Sequence, residues 1–164
     1  LVPAWVGLNH TRTAGLYYGD VGNNLLLILY VFCVVWVADI GAYFAGRAFG
    51  KAKLAPRVSP GKSWAGVWGG LLAVAIFAAI ISQLAHAGWT DAVLLVLASL
   101  ATGGVSVLGD LLESMLKRFR GIKDSSGLLP GHGGIMDRID SLTAAIPVFA
   151  LIITLLDWLR TGYW

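Results

Sequence analysis

Four long apolar runs constrain this chain more than any other feature of its sequence. Each run approaches or exceeds the length, roughly 20 residues, that an α-helix needs to cross the hydrocarbon core of a bilayer. Within a bilayer the backbone must satisfy its own hydrogen bonds, so runs of this length are expected to be helices. The predicted membrane helices are Asn24 to Ala45, Trp64 to Ala85, Ala92 to Leu112 with a continuation to Arg118, and Ile139 to Leu159.

The overall composition indicates a membrane protein and argues against a soluble domain. Hydrophobic residues make up 57% of the 164 residues, and charged residues only 13%. We therefore predict an all-α integral membrane protein with about four transmembrane helices. Gly66 and Gly70 in the second predicted helix form a Gly-x-x-x-Gly spacing, which favours close packing against a neighbouring helix. The stretch 1–23 contains both polar and apolar residues and is interrupted by Gly and Asn, so we expect a loop or a surface segment there.

Basic residues are concentrated in two segments, one between the first and second predicted helices and one between the third and fourth. All of the 12 Lys and Arg residues except Arg12 and Arg160 lie there. With four crossings both segments lie on one side of the membrane, and the positive-inside rule makes that side cytoplasmic. The stretch 1–23 is then a non-cytoplasmic lead-in. A topology signal alone would explain basic residues, but the acidic and glycine residues among them favour one site formed by both loops.

The end of the first predicted helix carries a carboxylate inside the membrane segment. Asp39 and Tyr43 are four residues apart and therefore share one face of the helix. An ionisable residue within a membrane helix is expensive to keep there and is a functional candidate for that reason. An ion pair between Asp39 and Arg47 is the alternative explanation, and the two can coexist.

The run Ser59-Pro60-Gly61-Lys62-Ser63 looks like the end of a phosphate-binding loop. That motif needs a further glycine where this chain has Pro56, which argues against a P-loop nucleotidase. Ser63 can still cap the second predicted helix, whose N-terminal amides and dipole favour an anion. Lys62 adds a mobile positive charge. An ordinary turn and helix cap is the alternative.

Pairs of acidic residues mark the two helix ends around the second basic segment. Asp110 and Glu113 lie three residues apart at one end, and Asp137 and Asp140 lie three apart at the other, so each pair shares a helix face. Ligand sets made only of oxygen suit Mg²⁺. Carboxylates for a metal, together with cations for phosphates, are typical of phosphoryl or nucleotidyl transfer. A salt-bridged loop that caps two helices is the alternative. The nearby cations are Lys117, Arg118, Lys123 and Arg138.

A glycine-rich run lies between these two helix ends. Gly131, Gly133 and Gly134 allow the backbone to approach a ligand closely, and consecutive amides there can form a nest for an anion. His132 stands among them and is a candidate for donating to a phosphate or for proton transfer. A structural role for His132 is the alternative.

These residues together resemble the signature of the phosphatidate cytidylyltransferases, also called CDP-diacylglycerol synthases. The resemblance covers about Trp36 to Ser141, and Ala65 departs from it because the family often has Glu at that position. The family's members are longer at the N-terminus, so we expect 1–164 to be a single transmembrane catalytic domain from the C-terminal part of a longer chain. The matching motifs are Trp36, Asp39, Ala42, Tyr43 and Gly46; Ser59 to Ser63; Ser114, Lys117, Arg118, Lys123 and Asp124; Pro130 to Gly134; and Asp137 to Asp140.

The resemblance implies nucleotidyl transfer from CTP to phosphatidate, giving CDP-diacylglycerol and pyrophosphate. It implies an enzyme of the bilayer, in a bacterial inner membrane with its site facing the cytoplasm, without a nucleic-acid partner, and a homodimer is consistent with it. The implied cofactor is Mg²⁺, with room for a second cation, and the implied metal ligands are Asp110, Glu113, Asp137 and Asp140. The implied catalytic residues are Lys117, Arg118, Lys123, Asp124, His132 and Arg138. The implied substrate-binding residues are Asp39, Tyr43, Ser59, Gly61, Lys62, Ser63, Gly131, Gly133 and Gly134.

Two other functions remain open from the sequence. A CTP-dependent polyprenol kinase would transfer the γ-phosphoryl group and would need a base for a lipid hydroxyl group. A cation transporter subunit or a membrane scaffold would use the carboxylates for transport or packing, and it would be favoured by carboxylates deep within the helices. The carboxylates of this chain lie instead near predicted helix ends, which favours the enzyme.

Overall fold

The computed structural model describes residues 1–13, 24–56, 58–122 and 136–161, and in the last range the side chains of 139–159. Four helices in these ranges are long and apolar enough to cross a membrane. The prediction of an all-α integral membrane protein with about four transmembrane helices is confirmed. The elements in chain order are α1 (Val2–Thr13), α2 (Asn24–Phe49), β1 (Lys53–Ala55), β2 (Ser59–Ser63), α3 (Trp64–Leu84), α4 (Trp89–Phe119) and α5 (Met136–Thr161).

Helix α1 occupies most of the described part of the stretch for which we predicted a loop or a surface segment. Residues 2–13 are a helix and not a loop, but most of them are exposed, as expected for a surface segment. Its buried residues are Ala4, Gly7 and Thr11, which repeat at helical spacing and form a narrow face of small side chains. A Cβ atom at Gly7 would lie 3.0 Å from the Cα atom of Pro147, so α1 packs closely on α5. Tertiary packing of this kind stabilises a short helix that propensity alone does not predict. The non-cytoplasmic position of 1–23 stays a prediction.

A short antiparallel hairpin, β1 and β2, joins α2 to α3 and was not predicted. Lys53 pairs with Ser63, and Ala55 pairs with Ser59. The amide of Val58 donates to the carbonyl oxygen of Ala55 at 3.1 Å and closes the turn. The hairpin therefore satisfies backbone groups in the described part of the first basic segment.

Buried side chains of α2, α3, α4 and α5 form the centre of the bundle. Val34 and Val74 are fully buried there, and Phe149 is almost fully buried beside them. The hydroxyl groups of Tyr30 and Ser99 lie 2.6 Å apart in the interior, which links α2 to α4 by a hydrogen bond. A polar contact between membrane helices adds to the packing that holds them together.

The antiparallel order of the long helices brings four helix ends to one end of the bundle. These are the C-terminal ends of α2 and α4 and the N-terminal ends of α3 and α5. Helix α4 has 31 residues and is therefore about 46 Å long, more than the roughly 30 Å of hydrocarbon. Its uncharged part, Ala92 to Gly109, rises about 27 Å. Asp110 is therefore the first charged residue of α4 after an apolar length close to that thickness.

Candidate active site at one end of the bundle

A polar cavity opens at the end of the bundle where these helix ends meet. Its volume is about 370 Å³, and its walls come from α2, the hairpin, α3 and α4. Several of the predicted site residues lie on these walls, although they come from separate parts of the chain. They are Asp39, Tyr43, Gly61, Lys62, Ser63 and Asp110.

An ion pair between Lys62 and Asp110 joins the hairpin to α4. The Lys62 Nζ atom lies 2.5 Å from the Asp110 Oδ2 atom, and the two side chains are only 24% and 31% exposed. The hydroxyl group of Ser114 donates to the other carboxylate oxygen, Oδ1, at 3.3 Å. The Ser114 contact was not predicted, although its i, i+4 spacing from Asp110 was a sequence signal for it. The pair joins Lys62 of the first predicted basic segment to Asp110, which lies near the end of the helix that leads into the second.

Two further carboxylates lie near this ion pair. The charge of Asp39 on α2 interacts with those of Asp110, Lys62 and Asp140. The charge of Asp140 on α5 interacts with those of Asp110, Lys117 and Lys62. The amide of Ser141 donates to the Asp140 Oδ1 atom at 2.7 Å, which fixes that carboxylate at the start of the helix. Three helices therefore each contribute an acidic group to one electrostatically connected region.

The candidate metal ligands in this region are all carboxylate oxygens, which are the ligands that Mg²⁺ prefers. Within the described ranges, however, no three His, Cys, Asp or Glu side chains lie close enough together to hold a metal ion. Glu113 forms an ion pair with Lys117 at 3.2 Å along α4. The Asp137 side chain, a predicted ligand, lies outside the described residues. The metal site therefore stays a prediction.

The other polar contacts near the cavity involve Tyr43, Arg47 and Arg118. The Nη1 atom of Arg47 donates to the Tyr43 hydroxyl group at 3.2 Å. The alternative ion pair between Asp39 and Arg47 is not formed between these two described residues. The Nε atom of Arg118 donates to the Val58 carbonyl oxygen at 3.4 Å, which gives α4 a second contact with the hairpin.

Ser63 caps α3, as predicted. It has extended backbone angles, φ −131° and ψ 156°, and its side-chain oxygen accepts a hydrogen bond from the Gly66 amide at 3.2 Å. A Cβ atom at Gly46 would lie 3.2 Å from the Ser63 Oγ atom, so α2 approaches the cap closely. The remaining amides in the first turn of α3 lack partners within the helix and favour negative charge near them.

Ser63→Ala is expected to lower the free energy of unfolding by about 1 kcal/mol, because it removes the cap acceptor from the Gly66 amide. Thermal unfolding in detergent, followed by circular dichroism, measures this change. Ser59→Ala is the matched control, because Ser59 lies in the same strand and does not cap a helix. This variant is expected to unfold like the parent protein. Equal effects of the two substitutions would contradict a specific role for the Ser63 cap.

Several predicted site residues lie outside the described residues, and their roles stay predictions. The backbone of Asp137 and Arg138 belongs to the first turn of α5, but their side chains are not described. Ser59, in contrast, is described: it lies in β2 and pairs with Ala55 of β1. The residues of the glycine-rich segment and its approach that are outside the described ranges are Lys123, Asp124, Gly131, His132, Gly133 and Gly134.

Comparison with known proteins gives consistent matches over nearly the whole chain. The model of the cytidylyltransferase family matches residues 4–156. A phosphatidate cytidylyltransferase of Pseudomonas aeruginosa is 54% identical over 158 residues, which cover 96% of this chain and 56% of that protein. One of Haemophilus influenzae is 53% identical over 153 residues, covering 92% and 53%. One of Brucella suis is 43% identical over 165 residues, covering 92% and 60%. The chain spans about half the length of the curated relatives it matches.

Proposed function

The chain belongs to the cytidylyltransferase family, and from that premise we propose that it transfers the cytidylyl group of CTP to phosphatidate. The products are CDP-diacylglycerol and pyrophosphate. The observation that carries this proposal is the Lys62–Asp110 ion pair in a polar cavity at the ends of membrane helices. A site at that depth is accessible both to a soluble nucleotide and to a lipid headgroup.

In the proposed reaction a phosphate oxygen of phosphatidate attacks the α-phosphorus of CTP. A bond forms between that oxygen and the α-phosphorus, the bond from the α-phosphorus to the bridging oxygen breaks, and pyrophosphate leaves with the electron pair. A phosphate monoester is already largely ionised near pH 7, since its second pKa is about 6. The protein therefore has no need of a strong general base, and catalysis rests on positioning and charge neutralisation.

The side chains around the cavity fit these two tasks. Lys62 is held by Asp110 and can offer its ammonium group to a phosphate that competes with the carboxylate. The N-terminal amides of α3, beyond the Ser63 cap, add partial positive charge on the same side. Arg47 and Tyr43 line the cavity and add hydrogen-bond donors for the nucleotide or the lipid phosphate. We assign Lys117 and Arg118, with Lys123 and Arg138, to the same neutralising role.

We also propose that Mg²⁺ is held by Asp110 and Asp140 together with Asp137, and that Glu113 and Asp124 belong to the surrounding acidic shell. When bound, the metal ion offsets the charge of the triphosphate and favours the departure of pyrophosphate. The carboxylates of Asp110 and Asp140 support this assignment because their charges interact across two helices. The number of acidic groups in this region leaves room for a second cation.

We further propose that the protein lies in a bacterial inner membrane with the cavity facing the cytoplasm. Its bacterial relatives support the first part. The cations near the cavity end support the second part through the positive-inside rule. A homodimer stays a prediction. Neither the fold nor the relatives favour a lipid kinase, a transporter or a scaffold.

CTP labelled at either the α- or the γ-phosphate provides the test. Purified protein in mixed micelles with phosphatidate and Mg²⁺ is expected to move the α-label into lipid and to release the γ-label as pyrophosphate. Chelation of Mg²⁺ is expected to abolish the transfer, and its return to restore it. The assay uses the 164-residue chain and any longer polypeptide that contains it. Movement of the γ-label into lipid would establish a kinase instead, and no transfer by either form would overturn the proposal.

A further inference from the structure

An apolar groove lies on α4 beside the polar cavity. Its volume is about 540 Å³, and its lining combines the hairpin, α4 and α5. Three large side chains of its α4 wall, Leu108, Leu112 and Met115, are 63%, 55% and 48% exposed. They repeat at helical spacing and therefore form one continuous stripe along the helix. The groove is thus open along its length and presents hydrocarbon to its surroundings.

The hairpin end of this groove carries positive charge. Val58 lines the groove, and its carbonyl oxygen accepts the hydrogen bond from the Arg118 guanidinium group. Arg118 follows Met115 by less than one turn of α4 and is exposed. The apolar groove therefore begins beside a cation and continues along the membrane-spanning part of the helix.

Helix α4 separates the groove from the polar cavity at a single turn. Gly109 lines the groove, while the next residue, Asp110, lines the cavity and pairs with Lys62. A Cβ atom at Gly109 would lie 2.5 Å from the Cβ atom of Ala144, so α5 packs tightly on this turn. A ligand whose polar group lies at the cavity can therefore place its apolar part in the groove, on the other side of this turn of α4.

We propose that this groove holds one acyl chain of the phosphate-bearing lipid substrate. The inference rests on the proposed function and assigns the position of that substrate's tail. A lipid phosphate joins an anionic head to a hydrocarbon chain, which matches the cationic end and the apolar body of the groove. From Val105 to Met115, α4 rises about 15 Å, or half of the roughly 30 Å hydrocarbon core. That is the depth of one lipid leaflet, so the groove is long enough to hold one acyl chain.

A substitution that fills the groove tests the proposal. Leu112→Trp is expected to raise the KM for phosphatidate with 18-carbon chains about tenfold, since each methylene removed from an apolar contact changes affinity by about fourfold. The KM for dihexanoyl phosphatidate, the KM for CTP and kcat are expected to stay within about twofold of the parent values, because short chains do not fill the groove. Leu97→Trp is the matched control, since Leu97 lies on the same helix with 56% exposure against 55% for Leu112.

A phosphatidate analogue with a photoreactive diazirine at the end of one acyl chain gives a readout that does not need turnover. Irradiation is expected to label the segment 105–115, and excess phosphatidate is expected to suppress that labelling. Labelling confined to other segments, or an equal loss of activity with both chain lengths in Leu112→Trp, would overturn the groove assignment. So would a change in oligomeric state caused by Leu112→Trp, because the groove would then contact a second copy.

The two proposals can fail separately. If the parent protein transfers no label to phosphatidate of either chain length, the proposed function fails, and the photolabelling map still decides whether the groove binds a lipid chain. If the parent protein is active and the segment 105–115 stays unlabelled, the function stands and the groove assignment fails.

Discussion

Asp110→Asn is expected to lower the rate of label transfer from CTP to lipid by about a thousandfold, the upper range for loss of one preorganised charged group. Asn keeps the shape of the side chain but removes the negative charge that holds Lys62 and that the proposed metal ion requires. Because the Asp110 side chain is only 31% exposed, water screens its charge less than it would at an open surface. Initial rates at saturating CTP and phosphatidate measure the effect.

Asp91→Asn is the matched control for this substitution. Asp91 belongs to the first turn of the same helix, at the opposite end from the cavity. It carries the same charge change without altering the site, so its rate is expected to stay within about twofold of the parent rate. Thermal unfolding of both variants separates loss of function from loss of fold.

A double substitution distinguishes a functional ion pair from a structural one. If Lys62 and Asp110 act on the substrates as a unit, Lys62→Met combined with Asp110→Asn is expected to be no slower than the slower single variant. If the pair is only structural, removing both charges together is expected to restore the rate, because neither charge is then left without its partner. A near-parental rate for Asp110→Asn alone would contradict any role of this carboxylate in catalysis.

The four membrane helices could be predicted from hydropathy because the bilayer imposes their length and their internal hydrogen bonding. Helix α1 could not be predicted on that basis, since it has only 12 residues and depends on its contact with α5. Gly7 lowers helix propensity, yet it permits the close approach to Pro147 that stabilises the helix in the fold. Local sequence preference and tertiary packing point in opposite directions there, and packing prevails.

The hairpin was missed for a related reason. The segment Ser59–Ser63 contains Pro60 and Gly61, both of which are unfavourable in regular strands, and its resemblance to a phosphate-binding loop favoured a turn. Its strand character comes from pairing with Lys53–Ala55 across a short turn. Both strands of a two-stranded sheet are edge strands. An edge strand tolerates Pro better than a central strand does, because fewer of its amides need hydrogen-bond partners.

Six of the residues predicted for the site line the cavity, but their contacts with one another were not predicted. Topology alone placed the two basic segments on one side of the membrane, and the structure brings Lys62 of one to Asp110 at the border of the other. Their pairing, and the position of Asp39 beside them, depend on how closely α2, α3 and α4 pack. Sequence spacing reports neighbours within a helix, such as Ser114 and Asp110, but it does not report neighbours across helices.

Gly70→Ala is expected to lower the free energy of unfolding by about 2 kcal/mol, within the range for overpacking of a tight interface. A Cβ atom at Gly70 would lie 2.7 Å from the carbonyl oxygen of Ala38, and a backbone atom cannot move away without shifting α2. Gly66 makes a similar approach, with a Cβ position 2.9 Å from the carbonyl oxygen of Ala42. The Gly-x-x-x-Gly spacing therefore sets the distance between α2 and α3, as predicted.

Gly104→Ala is the matched control for Gly70→Ala, because it makes the same change in a membrane helix where a new Cβ atom meets nothing within 4 Å. There Ala is expected to raise the free energy of unfolding by up to about 1 kcal/mol, since it is the better helix former. Thermal unfolding in one detergent compares the two variants directly. Because Asp39 follows Ala38 on α2, a shift of this helix also moves a carboxylate of the cavity, so Gly70→Ala is expected to slow label transfer at temperatures where it stays folded. If Gly70→Ala lowers the free energy of unfolding and Gly104→Ala raises it, the distance between α2 and α3, rather than helix propensity, governs this interface. If both substitutions raise it, α2 and α3 are not tightly packed at Gly70.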